Sequence, residues 1–79
     1  MGEHDGLLEL AQEGKRAGAE GLFHAFATRL FTFAKHAVGD PQSASEITIE
    51  AFKGVFREIV TFTSASGVLV RLYALAFRE

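Results

Sequence analysis

Cysteine and tryptophan are absent from this 79-residue chain, and proline, methionine and tyrosine each occur once. Without cysteine no disulfide can crosslink the domain, so the packing of apolar side chains must supply its stability. A run of about eighteen apolar residues is also missing, which excludes a membrane-spanning helix. The first five residues include two acids. We therefore expect no signal peptide and a cytoplasmic location.

An excess of positive charge is missing as well. Lysine and arginine number 8 against 10 aspartate and glutamate, which gives a net charge of −2 and an isoelectric point near 5.9. A protein that binds DNA on its own usually carries a basic face that neutralises phosphates. The sequence therefore does not favour autonomous DNA binding.

Apolar residues, in contrast, are abundant. They make up 48% of a chain that has room for only one domain. The surface of so small a domain is large relative to its volume and should be mostly polar. We therefore expect part of the apolar surface to lie in an interface.

The spacing of apolar residues predicts an all-α bundle of three main helices preceded by a short one. Gly14 and Gly18 are expected to weaken the short first helix. The single domain divides into a leading segment, a core helix pair, and a connection with a last helix. The predicted helices cover about 7–15 within segment 1–19, 20–38 and 41–60 within segment 20–60, and 67–77 within segment 61–79.

Helical spacing also predicts which side chains of the core pair are buried. Aromatic residues at this spacing usually fill a core, so we assign the phenylalanines of both helices to it. The residues predicted to be buried in the first helix are Phe23, Ala27, Leu30, Ala34 and Val38, flanked by Phe26, Phe31 and Phe33. Those of the second are Ile47, Ala51, Val55 and Ile59, flanked by Ile49, Phe52 and Phe56.

The turn between the two core helices is strongly specified. Gly39 follows the first helix where a left-handed cap is favoured. Asp40 then offers an N-cap side chain, and Pro41 suits the first position of the next helix.

The last helix is apolar on nearly all sides, and Ser64 or Ser66 is expected to cap it. A helix apolar on all sides must be buried on all sides, which a domain this small rarely achieves. We therefore expect a homodimer or another protein to cover it. A strand is the alternative, because Val68 and Val70 are β-branched. The residues predicted to form this interface are Val68, Leu69, Leu72, Leu75 and Phe77.

Three stretches of the sequence match one family pattern. Residues 29–34 read R-L-F-T-F-A where that pattern has R-L-Y-x-x-A, and the turn G-D-P follows at residues 39–41. Residues 46–52 then read E-I-T-I-E-A-F where the pattern has D-L-V-Q-E-V-F. The chain thus resembles region two of bacterial sigma factors of the extracytoplasmic-function type. The register continues without a gap to Arg71-Leu72-Tyr73, where the family commonly has W-L-Y.

This resemblance implies a function in transcription initiation. In the family, the second core helix docks onto the clamp helices of the largest subunit of RNA polymerase. The connection and the last helix capture the unpaired minus-ten promoter strand. The residues that the resemblance assigns to polymerase docking are Glu46, Ile49, Glu50 and Lys53. Those that remain for promoter DNA are Ser64, Arg71 and Arg78.

The chain departs from the family mainly where the family reads DNA. Arg71 stands in the place of a tryptophan, Phe77 in that of an arginine and Arg78 in that of an asparagine. In the docking helix, Ile49 replaces a glutamine. We therefore expect polymerase docking with weakened or lost minus-ten recognition.

Three alternatives remain open. In the first, the chain is a degenerate sigma-like regulatory module that dimerises or binds another protein. In the second, it is a truncated domain two whose missing remainder covers the apolar residues. The third alternative concerns Glu46, Glu50, Lys53 and Arg57 alone. Carboxylates early and cations late in a helix also describe a solvated face with favourable dipole and one-turn pairing.

No pattern in the sequence indicates an enzyme. His24 and His36 lie twelve residues apart rather than at the one-turn spacing that holds a metal, and no thiol completes a site. Neither a glycine-rich nucleotide loop nor a nucleophile motif occurs. We therefore expect no catalytic activity, no metal and no cofactor.

Overall fold

Four α-helices and a short 3-10 turn form the fold of the computed structural model, which describes residues 4–77. The all-α prediction is confirmed, and the last segment is a helix rather than a strand. Within the described residues, no helix is both long and apolar enough to cross a bilayer. The elements are α1 (Asp5–Gln12), α2 (Arg16–Val38), α3 (Pro41–Arg57), the 3-10 turn (Ile59–Thr61) and α4 (Ala65–Ala76).

A left-handed glycine ends α1 and allows α2 to begin four residues before the predicted start at residue 20. Gly14 has φ 82° and donates its N–H to the Ala11 carbonyl at 3.0 Å. The next N–H, that of Lys15, reaches the Leu10 carbonyl at 2.9 Å. These two bonds form a Schellman cap, which satisfies the last carbonyls of α1 and reverses the chain.

Gly18 was predicted to weaken the first helix, but it lies inside α2. It is buried where α1 crosses α2, because a Cβ atom there would collide with the backbone of Leu10 and Ala11. Only glycine permits so close an approach of the two helix backbones. Gly18 is therefore a packing position.

The buried row of α2 runs in steps of four residues from this contact. The core prediction is confirmed for Phe26, Leu30 and Ala34, which are buried. It is wrong for Phe23, Phe33 and Val38, which are exposed. Apolar residues surround so much of α2 that their spacing alone does not single out one face. The row consists of Gly18, Leu22, Phe26, Leu30 and Ala34.

The other helices bury one face each against this row. Thr48 is the one polar member of the described core, and its hydroxyl donates to the Ala44 carbonyl at 2.8 Å. Ile49 was predicted to flank the core but is 46% exposed. On α4, Val70 is 70% exposed, so burial on all sides is not achieved within the domain. The buried residues are Leu8 of α1, Ala44, Thr48, Ala51, Phe52 and Val55 of α3, and Ala65, Val68 and Leu72 of α4.

The turn between α2 and α3 has the predicted form. Gly39 has φ 74° and donates its N–H to the Lys35 carbonyl at 2.7 Å. One carboxylate oxygen of Asp40 accepts hydrogen bonds from the N–H and the hydroxyl of Ser43, at 2.9 and 2.7 Å. These bonds hold the pKa of Asp40 below its usual value of 3.8, and the bond from the Ser43 hydroxyl contributes most to this lowering.

We predict that Gly18→Ala lowers the free energy of unfolding by about 1–3 kcal/mol, because the added methyl group forces α1 away from α2. Gly6→Ala is the matched control, since a Cβ atom at this exposed position of α1 meets no other atom within 4 Å. It should raise the stability by up to about 1 kcal/mol. Urea unfolding followed by circular dichroism measures both. Equal effects of the two substitutions would show that the helices do not approach closely at Gly18.

We also predict a pH-dependent contribution from Asp40. Because folding lowers its pKa, the stabilisation is present above pH 3.8 and disappears as the pH falls through the folded-state pKa. The variant Asp40→Asn keeps a capping oxygen but loses the charge. Its thermal midpoint should lie below that of the wild type at pH 7 and approach it in more acidic buffer. A difference that does not change with pH would contradict this.

Candidate docking surface

The predicted polymerase-binding residues form one exposed strip on α3. Glu46, Ile49 and Glu50 lie at positions i, i+3 and i+4 and all face solvent. The ammonium group of Lys53 contacts Glu50 at 3.3 Å, an exposed ion pair of the kind that contributes little to stability. We call Glu46, Ile49 and Glu50 the acidic ridge.

A shallow groove of about 260 Å³ lies beside the acidic ridge, between α2 and α3. Phe23, predicted to be core, forms part of its wall, and its ring packs against that of Phe52 at a centroid distance of 4.8 Å. Because the hydroxyl of Thr48 is bonded to its own helix, it does not make the groove polar. The lining residues are Phe23, Ala27, Thr28 and Phe31 of α2 and Ser45, Thr48 and Ile49 of α3.

Sequence reasoning did not detect this groove. Helical periodicity places Phe23 and Ile49 on apolar stripes of their own helices, but it does not say how far apart two neighbouring stripes lie. The position of Ile49 between the carboxylates Glu46 and Glu50 was the one available signal.

Two of the three residues predicted to contact promoter DNA make contacts within the domain. The hydroxyl of Ser64 caps α4 by accepting the N–H of Gly67 at 3.2 Å. The guanidinium group of Arg71 pairs with Glu58 at 3.2 Å. Arg78 lies outside the described residues. Ser64 thus serves as the predicted cap, and Arg71 has a carboxylate partner beside the connection.

Helix α1 holds the connection that precedes α4. The amide of Gln12 donates to the carbonyls of Ile59 and Phe62 at 3.0 and 2.7 Å. At the other end of α1, the carboxylate of Asp5 accepts the N–H of Ala65 at 2.8 Å. No sequence pattern pointed to these contacts, because they join residues 47 to 60 positions apart.

The Asp5 contact places a negative charge at the N-terminus of α4, next to the connection. A carboxylate is favourable at a helix N-terminus, where the N–H groups carry partial positive charge. The same N-terminus would otherwise attract a phosphate. Asp5 therefore occupies the N-terminus of α4, and its negative charge opposes the approach of a nucleic-acid backbone to the connection.

The predicted interface on α4 needs correction. Val68 and Leu72 are fully buried in the domain's own core, so they are not available to a partner. Leu69, Leu75 and Phe77 are half-buried against the other helices. The large apolar side chain that α4 does expose is Val70, which was not included in the prediction.

A metal site is not found among the described residues. Among them, no three histidine, aspartate or glutamate side chains lie close enough together to hold a metal ion. His24 and His36 are exposed on α2. The candidate functional features are the acidic ridge, the groove and the connection.

Comparison of the chain with protein-family models, with curated protein sequences and with solved structures finds no match. The resemblance to sigma region two accordingly depends on the residues quoted for it above.

We predict that Gln12→Ala loosens the connection. Loss of two partly buried hydrogen bonds should lower the stability by about 1–3 kcal/mol. Native-state hydrogen exchange should show faster exchange at the amides of Thr61 and Phe62. The control is Gln42→Ala, which removes an exposed glutamine from α3. If exchange in the connection is the same in both variants, Gln12 does not hold it.

Proposed function

We propose that this domain docks onto the clamp helices of RNA polymerase core in a sigma-like manner, with weakened or lost minus-ten recognition. The observation that supports this most is the acidic ridge beside an apolar groove. Glu46 and Glu50 flank Ile49, and all three are exposed. Protein interfaces commonly place an apolar anchor near the centre with polar or charged residues around it.

Docking would place a partner helix along α3. Apolar side chains of the partner would cover Ile49 and enter the groove, where Phe23 and Phe31 offer ring surfaces. Basic side chains would meet Glu46 and Glu50. Because the Lys53 contact to Glu50 is exposed, its replacement by a partner's cation costs about 1 kcal/mol or less. Lys53 then lies at the edge of the interface.

Weak promoter recognition is supported by the connection. Ser64 and Arg71 already have partners in the domain, and Asp5 adds a negative charge at the start of α4. A net charge of −2 gives no general attraction to phosphates. The proposed function places the domain in the cytoplasm, with the polymerase and not DNA as its main partner.

A second candidate is a sigma-like regulatory module that acts by dimerisation or by binding another protein. The exposure of Phe33 and Val70 favours it, since neither side chain belongs to the ridge or the groove.

We predict that the isolated clamp-helix segment of RNA polymerase binds the wild-type domain at micromolar concentration. Ile49→Ala removes the apolar anchor, and Glu50→Arg reverses a charge that faces basic partner residues. Each should weaken binding by about tenfold, as expected when an interface residue contributes more than 1 kcal/mol. Isothermal titration calorimetry measures the dissociation constants.

The control for this measurement is Glu13→Arg, which makes the same charge change on an exposed position after α1. Its affinity should equal that of the wild type. The docking proposal fails if wild type does not bind at high micromolar concentration, or if Glu13→Arg weakens binding as much as Glu50→Arg.

A further inference from the structure

Two exposed apolar side chains have charged neighbours of opposite sign. Ile49 lies between Glu46 and Glu50 on the acidic ridge. Phe33 is 52% exposed on α2, with Arg29 one turn before it and His36 one turn after it. Arg29 and His36 are both exposed as well. Ile49 thus lies beside two carboxylates, whereas Phe33 lies between a guanidinium group and an imidazole ring.

The ring of Phe33 is held in place by α4. Its centroid lies 5.2 Å from that of Tyr73 and 4.9 Å from that of Phe77. Since both partner rings are half-buried, Phe33 loses little side-chain freedom when a partner covers it. A shallow groove of about 300 Å³ runs beside Phe33 and His36. We call Arg29, Phe33 and His36, with the two rings behind them, the aromatic patch.

Charge is unevenly distributed between the two surfaces. Residues 21–39 contain no carboxylate, whereas they contain Arg29, Lys35 and two histidines. Within residues 4–77, neither Arg29 nor Glu46 makes an ion pair. Both charges are therefore available to a partner.

The acidic ridge and the aromatic patch face different directions. Phe31 lines the groove beside the ridge, while Phe33 packs against α4. Two residues apart on a helix of 3.6 residues per turn, these side chains point about 200° away from each other. The two surfaces of one molecule consequently do not meet, but those of two molecules can.

We propose that a second copy of this chain docks head to tail, with the acidic ridge of one copy on the aromatic patch of the next. Ile49 would lie against Phe33, Glu46 would face Arg29, and Glu50 would lie near His36. The contact joins different surfaces of the two copies, so it leaves one ridge and one patch free for further copies. It uses the ridge to which the proposed function assigns polymerase docking, so self-association would mask that ridge.

Sedimentation equilibrium at up to about 1 mM protein tests this, since small interfaces with few charges are weak. The average mass of wild type should rise above 8.6 kDa with concentration and fall again at high salt. Arg29→Glu and Glu46→Arg each put like charges opposite one another. Each should weaken self-association by about tenfold, because an attraction is lost and a repulsion is added.

The decisive sample is an equal mixture of the two variants. In the mixture, the unaltered ridge of Arg29→Glu meets the unaltered patch of Glu46→Arg, and the two reversed surfaces also match. Association should return, and the double variant should associate by itself. The proposal is overturned if wild type stays monomeric. A monomer that binds a single-stranded oligonucleotide or an acidic peptide through Arg29 overturns it in the same way. It is also overturned if the mixture stays monomeric or if the reversals have no effect.

The clamp-helix segment separates this outcome from that of the proposed function. Arg29→Glu leaves the acidic ridge intact and should bind the segment as wild type does. If the segment does not bind, polymerase docking fails while the charge-reversal result stands. If the segment binds but the mixture does not associate, only the head-to-tail contact is refuted.

Discussion

The close contact between α1 and α2 at Gly18 determines where most of the other elements lie. With no side chain between them, the two helix backbones approach closely, and α1 lies along the first half of α2. This position brings both ends of α1 to the connection before α4. Asp5 and Gln12 then fix the 3-10 turn and the first residue of α4 through hydrogen bonds. A shift of α1 would therefore be transmitted to the start of α4, 60 residues further along the sequence.

The features that could be predicted are those encoded locally. The turn at Gly39 and Asp40, the cap at Ser64 and the all-α class each follow from a few neighbouring residues. The face of α2 that is buried could not be predicted, because phenylalanines surround the helix and only its neighbours decide which are covered. Gly18 was misjudged for the same reason. Helix propensity describes an isolated helix, whereas its absent side chain matters only where another backbone crosses.

The candidate site shows the same division. The acidic ridge follows from one-turn spacing on a single helix, and the structure exposes all three of its residues. The groove beside it depends on the distance between two helices, and the engagement of Arg71 depends on Glu58 across the connection. The surface proposed for protein docking is exposed, whereas the connection is occupied by the domain's own polar groups.

The bond from Ala65 to Asp5 also has a consequence for the order of folding. It joins residues 60 positions apart, so the start of α4 cannot take its final form until most of the described chain has been synthesised. Helices form within microseconds from local contacts, whereas a contact of such sequence separation carries the entropy cost of closing a long loop. During synthesis, α1, α2 and α3 can pair before the connection and α4 are made. The last step of folding would then set the N-terminus of α4 against α1.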